Sequence, residues 1–104
     1  MEVKIIDLGN GAQLKIYGGD GNSYHSTYHL NGAKCWYLNG KRHRTDGPAI
    51  EDANGSKSWW INGKLHRVDG PAVEYANGDK WWYINGKEYS EEEFNIIKEV
   101  LWML

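Results

Sequence analysis

The stretch from Trp36 to Glu51 recurs 23 residues later as Trp59 to Glu74, and a third copy opens at Trp82-Tyr83-Ile84-Asn85-Gly86-Lys87 before it breaks off. The two full copies differ only by exchanges such as Tyr37 for Trp60, Arg42 for Leu65, Thr45 for Val68 and Ile50 for Val73. Upstream, Asn31-Gly32-Ala33-Lys34, Asn54-Gly55-Ser56-Lys57 and Asn77-Gly78-Asp79-Lys80 keep the same step. A fixed short period restricts a chain to a stack of equivalent units, each giving its neighbour the surface that neither can bury alone.

Asn-Gly dipeptides identify the unit. They begin at Asn10, Asn31, Asn39, Asn54, Asn62, Asn77 and Asn85, and from Asn31 onward the intervals alternate 8, 15, 8, 15, 8. Asn-Gly favours the type I′ hairpin turn, in which both central residues have φ > 0. The short interval holds one strand, such as Ser56 to Ile61. The long one holds a Lys-x-His-Arg extension, an x-Asp-Gly-Pro turn and a second strand, with Pro48 and Pro71 at strand starts because they cannot donate to a ladder. The expected fold class is mainly β: an antiparallel hairpin-repeat sheet followed by one helix.

Alternation along the strands separates two faces. Lys34, Trp36 and Leu38 share one with Lys57, Trp59 and Ile61 and with Lys80, Trp82 and Ile84. The constant Trp positions 36, 59 and 82 are expected to be mostly buried. The opposite face carries Tyr37, Trp60 and Tyr83, with Cys35, Ser58 and Trp81 beside them. It is either covered or the working surface.

At 104 residues the chain has the length of one domain with a sizeable core. Residues 1–30 form an N-terminal capping region, 31–89 the repeats and 90–104 the helix. In the first, Val3 to Leu8 and Ala12 to Tyr17 flank Gly9-Asn10-Gly11 as a hairpin, Gly18 to Asn22 is a longer turn, and Ser23 to Leu30 is a polar strand. In the last, Ser90-Glu91-Glu92-Glu93 is a capping box. Phe94, Ile97, Val100, Leu101 and Leu104 follow at helical spacing, with Ile96, Trp102 and Met103 widening the stripe. A helix this apolar is expected to be buried, either closing an end or face of the sheet or forming a homodimer.

Charge narrows the partners. Twelve Lys+Arg against 14 Asp+Glu, a formal charge of −2, argue against a protein that binds nucleic acid by neutralising many phosphates. No apolar run reaches the length of a membrane span, and the N-terminus lacks a signal-peptide apolar region. A lone Cys35 forms no internal disulfide, and the expected location is the cytoplasm.

The combination of Asn-Gly-Lys-x-His, a later Ala-Asn-Gly-x-Lys and an aromatic strand resembles the MORN (membrane occupation and recognition nexus) repeat, over about residues 31–94. Two features depart from that pattern: the 15 residues from Asn39 to Asn54 and the Asp-Gly-Pro segment. The His-Arg-x-Asp-Gly-Pro-Ala form resembles a variant repeat of small, often phage-encoded proteins that end in a Ser-Glu-Glu-Glu-Phe helix. The resemblance implies an elongated hairpin sheet acting as a scaffold or interaction module. It also implies a phage-encoded inhibitor of a host defence or enzyme system, acting in the host cytoplasm.

The chemistry-bearing residues recur with the repeat, which favours a structural duty for them. His43 and His66 accompany Arg44, Arg67, Asp46, Asp69, Glu51 and Glu74, whereas a catalytic constellation is needed once. A contact between repeats is the expected role of the histidines. His25 and His29 lie four apart on a strand, about 13 Å and too far to share an ion. No catalytic residue, metal or cofactor is expected. The candidate binding residues are Tyr37, Arg42, His43, Arg44, Trp60, His66, Arg67, Tyr75, Trp81 and Tyr83. The first reading is a non-catalytic protein that engages a protein partner through its aromatic, charged sheet face. The second is a sponge for a small nucleotide, gripped by stacked Tyr37, Trp60 and Tyr83 with Arg44 and Arg67. A small hydrolase using His, Asp and Glu is the third.

Overall fold

The computed structural model describes residues 3–9, 11–17, 24–29 and 31–103. They form a mainly antiparallel β protein with one C-terminal helix. The strands β1 (Val3–Gly9), β2 (Ala12–Tyr17), β3 (Tyr24–Tyr28) and β4 (Lys34–Leu38) follow one another as a meander. In the N-terminal hairpin β2 has the expected limits and β1 runs one residue further than expected, to Gly9; Asn10, the turn over 18–22, Ser23 and Leu30 lie outside the described residues. The repeats supply β5 (Lys41–Arg42), β6 (Ile50–Glu51), β7 (Lys57–Ser58), β8 (Trp60–Ile61), β9 (Lys64–Leu65), β10 (Val73–Glu74), β11 (Lys80–Ile84) and β12 (Lys87–Tyr89).

One device accounts for the many short strands. β5 pairs with the end of β4, Tyr37 opposite Arg42, and β6 pairs with its beginning, Cys35 opposite Ile50. Between them Trp36 is held twice: its N–H donates to the Ala49 carbonyl (2.8 Å) and its carbonyl accepts from the His43 N–H (3.1 Å). The run from Lys41 to Glu51 is therefore one returning strand that leaves the sheet over 44–48 and rejoins it. Trp59 does the same with Ala72 (2.8 Å) and His66 (2.9 Å), around an excursion over 67–71. Successive repeats are stitched above the excursions by Arg44 N–H to the Trp60 carbonyl and Arg67 N–H to the Tyr83 carbonyl, both 3.1 Å.

The Asn-Gly turns are of two kinds, not one. At Asn39, Asn62 and Asn85 both residues have positive φ, near 50° for Asn and 80° for Gly, which is the expected type I′ hairpin. At Asn31, Asn54 and Asn77 only the glycine does. These are three-residue loops. The Gly55 N–H donates to the Asp52 carbonyl (3.0 Å), the Asp52 N–H to the Ser56 carbonyl (2.8 Å), and Asn54 Oδ1 accepts from the Ser56 N–H (2.9 Å). There Asn acts through its side chain and Gly alone takes the left-handed conformation.

Sheet register confirms the two faces. Cys35, Ile50, Ser58, Val73 and Trp81 follow one another across four strand pairs. The neighbouring row, on the Trp36 face, alternates in charge through Lys34, Glu51, Lys57, Glu74 and Lys80, the favourable arrangement for opposed side chains. The molecule is thin, 45 × 35 × 16 Å. Contrary to the expectation of a sizeable core, Ala49, Ala72 and Phe94 are the only apolar side chains fully buried among the described residues. One sheet layer offers no second layer to pack against.

The helix α1 spans Glu91–Met103, and the capping box is formed in both directions: Glu93 N–H to Ser90 Oγ (3.1 Å) and Ser90 N–H to Glu93 Oε1 (3.0 Å). It lies against β11 and β12. Tyr89 stands where His43 and His66 stand in earlier copies and Ser90 where Arg44 and Arg67 stand, so the helix replaces the third excursion. The expectation that its stripe is buried fails for most of it. Phe94 is buried and Ile97 half-buried, but Ile96 is 58 % and Met103 85 % exposed, and Val100 and Leu101 are also open. A helix laid along the rim of a thin sheet finds room for one anchor near its start. Leu104 and the side chain of Trp102 lie outside the described part.

Candidate interaction face

The constant tryptophans 36, 59 and 82 are largely but not completely buried, as expected, and at Trp36 and Trp59 an arginine takes the place of a second layer. The Arg44 guanidinium carbon lies 3.9 Å from the centre of the Trp36 ring, and that of Arg67 lies 3.8 Å from the Trp59 ring. Each guanidinium is pinned by its own excursion. Arg44 Nε donates to Asp46 Oδ1 (2.8 Å) and Nη1 to the Pro48 carbonyl (3.1 Å); Arg67 repeats this with Asp69 (2.8 Å) and Pro71 (3.1 Å) and adds Glu74 at 3.5 Å. The bond from Arg44 and its positive charge hold Asp46 below the usual carboxylate range. The glycine closes the clip. A Cβ on Gly47 would come within 3.0 Å of Arg44 Cζ, and one on Gly70 within 2.9 Å of Arg67 Cζ. Arg-x-Asp-Gly-Pro is thus a loop folded back over the repeat's tryptophan, with a ring below the guanidinium and a bare backbone above it.

The recurrent histidines join repeats. His43 Nδ1 accepts from the Asn62 N–H and His66 Nδ1 from the Asn85 N–H, both at 3.0 Å. Each ties one copy's Lys-x-His segment to the next copy's type I′ turn. The expected contact between repeats is present.

The ten candidate residues therefore divide between faces. His43, Arg44, His66 and Arg67 lie with the excursions on the Trp36 face, whereas Tyr37, Arg42, Trp60, Tyr75, Trp81 and Tyr83 lie on the other. Arg44 and Arg67 are not brought to the row of Tyr37, Trp60 and Tyr83.

On the second face, Tyr37 stacks on His25 with ring centres 4.7 Å apart and planes 11° from parallel. Arg42, opposite Tyr37, lies 5.1 Å over the Trp60 ring, and Trp60 Nε1 donates to Ser58 Oγ (2.8 Å). Leu65 follows opposite Trp60. Desolvation raises the Tyr83 hydroxyl above its ordinary value, with the nearby Glu88 carboxylate and Tyr75 adding to the shift. Trp81 is 44 % and Tyr75 49 % exposed. A shallow depression of about 290 Å³ lies between Ile50, Trp60, Leu65, Val73 and Tyr75. The helix does not cover this surface: Lys98 and Leu101 stand beside Val68 and Asp69 of the second excursion, on the Trp59 side. Among the described residues no element lies across the aromatic face. Sequence periodicity found these residues; the Arg–Trp clips it missed, although Arg, Asp, Gly and Pro vanish together where Ser90 begins the helix.

Among the described residues no group of three His, Cys, Asp or Glu side chains could hold a metal ion, and no helix is long and apolar enough to cross a membrane. Comparison with protein-family models, with curated proteins and with solved structures finds no match.

Proposed function

We propose that this is a non-catalytic binding protein that engages a protein partner through the aromatic face built on Tyr37, Arg42, Trp60, Tyr75, Trp81 and Tyr83. The observation that carries this reading is the exposure of Trp81 and Tyr75 beside the Trp60–Val73 depression, on a face that no described element covers. Tyr, Trp and Arg are the residues that most often anchor protein interfaces, Tyr and Trp because they bury large area with few rotors. The repeats' shared residues are committed to holding the sheet, and Arg42, Tyr75 and Tyr37 stand where the copies differ. The MORN-like resemblance supports the same assignment, and through it the role of a phage-encoded inhibitor acting in a host cytoplasm.

The nucleotide reading needs a cation beside stacked aromatics. Arg42 offers one, but Arg44 and Arg67 are held on the opposite face by their tryptophans and aspartates. The test is an alanine scan of Arg42, Trp60, Tyr75, Trp81 and Tyr83 against a partner captured from host lysate, with a thermal-shift panel of nucleotides alongside. Loss of affinity at two or more of the aromatics with melting unchanged supports the reading. Unchanged affinity in all five, or stabilisation by a nucleotide alone, refutes it.

A further inference from the structure

Asp52 and Tyr75 occupy the same position in successive repeats, and on the aromatic face they stand on either side of β7. Since β6 and β10 both pair with β7, the two positions are ~9.5 Å apart across the sheet. The strand between them is low. Ser56 and Ser58 are small, and their hydroxyls already accept the Ala76 N–H (3.0 Å) and the Trp60 indole N–H (2.8 Å). In the next copy Trp81 stands where Ser58 does. The depression of about 290 Å³ is therefore a slot along β7. Ile50 and Val73 form its sides, Trp60 and Leu65 its apolar end, and Asp52 and Tyr75 its mouth.

The mouth presents a ring and a carboxylate without a cation. Among the described residues Asp52 makes no ion pair, and neither does Asp79, whose carbonyl accepts the Tyr75 N–H (2.9 Å). Lys57 also borders the depression, but it is paired across the strands with Glu51 and Glu74 on the opposite face. Arg42 lies over Trp60 at the apolar end, about 13 Å from the mouth along the strands. Elsewhere the chain completes the same combination itself: Arg44 lies on Trp36 and bonds Asp46, and Arg67 lies on Trp59 and bonds Asp69. We infer that the slot takes one arginine side chain of the protein partner. Its methylenes lie between Ile50 and Val73, and its guanidinium packs against the Tyr75 ring and bonds Asp52 through two N–H groups. An ammonium cannot make both contacts at once. The inference rests on the aromatic face being the partner-binding surface and adds which side chain the partner presents there.

The probe is acetyl-Leu-Arg-Leu-amide, titrated into the full, isotope-labelled chain and followed by NMR. Its controls replace the arginine by citrulline, which keeps the shape and loses the charge, by lysine and by glutamate. The expected result is saturable binding of the arginine peptide with a dissociation constant of about 1–10 mM, at least about fivefold weaker for citrulline and lysine, and none for glutamate. The Trp60 indole N–H signal moves and that of Trp36 does not. D52N, at an exposed position, brings the arginine peptide to the citrulline level at unchanged melting temperature. E92Q, on the helix, removes the same charge and leaves binding within about twofold. Equal binding of the arginine and citrulline peptides, equal binding of the lysine peptide, no saturation by about 20 mM, or unchanged binding in D52N overturns the proposal. Isothermal titration of the captured partner separates this failure from failure of the face. Weak binding by W81A with wild-type affinity in D52N overturns the slot alone, and wild-type affinity in both overturns the face as well.

Discussion

Arg67 lies face to face with Trp59, its guanidinium carbon 3.8 Å from the ring centre, and Arg44 repeats the arrangement on Trp36 at 3.9 Å. In a protein with three fully buried apolar side chains among its described residues, these stacked pairs do much of what a hydrophobic core does elsewhere. They cover the largest rings of the repeat and fix the loop that leaves the sheet.

Removing the guanidinium exposes Trp59 and frees the excursion. R67A should lower stability by about 2–4 kcal/mol in urea denaturation, the sum of a desolvated cation–π contact and charge-assisted hydrogen bonds. R67K should recover less than half of that, because an ammonium cannot bond Asp69 and the Pro71 carbonyl while lying flat on a ring. Equal stability of R67K and the wild type would show the clip to be unimportant.

Gly70 faces the other side of the same guanidinium. G70A should cost about 1–3 kcal/mol by pushing a pinned side chain off its ring. In an R67A background the same change should cost under about 0.5 kcal/mol, since there is nothing left to displace. Additive losses in the double-mutant cycle would contradict the contact.

The histidines hold repeats together by one hydrogen bond each. H43A and H66A should each cost about 0.5–1.5 kcal/mol and leave partner affinity within about twofold. Loss of function at unchanged melting would return these residues to a catalytic or ligand role.

How much of this was legible can be judged residue by residue. The capping box at Ser90–Glu93, the helix limits and the type I′ turns at Asn39, Asn62 and Asn85 follow from local chemistry, and local chemistry is what a sequence displays. The two-faced strands follow from period-two alternation. The second turn type at Asn31, Asn54 and Asn77 did not, because identical Asn-Gly pairs serve two- and three-residue loops whose length is set by the pairing on either side. That arginines cover Trp36 and Trp59 was not legible, because alternation says which face a residue is on, not what covers it. The open stripe of Ile96, Val100 and Met103 was misjudged: helical periodicity shows an apolar side but not how little sheet stands behind it. Of the candidate site, both sets of residues were identified, but their separation onto opposite faces needed the path of the excursions.

The helix start should respond to acid. The Glu93 carboxyl lies below the usual carboxylate range, chiefly because it accepts the Ser90 N–H and is tied to the Ser90 hydroxyl's side of the box. A lowered folded value means that the stabilisation is present above the ordinary carboxylate range and is lost as pH falls through the folded value. Helical circular dichroism should therefore decline on acidification in the wild type and change less in E93Q. An identical profile for the two would remove Glu93 from the cap.

The central claim is that the uncovered aromatic face is the working surface, and it is tested most directly by isothermal titration of the captured partner against W81A and, in parallel, R67K. The account predicts that W81A binds at least about tenfold more weakly with its melting temperature within a few degrees of wild type, while R67K melts earlier and binds as wild type at a temperature where it is folded. Full affinity in W81A, with affinity lost in folded R67K, would contradict it and place the interface among the excursions instead.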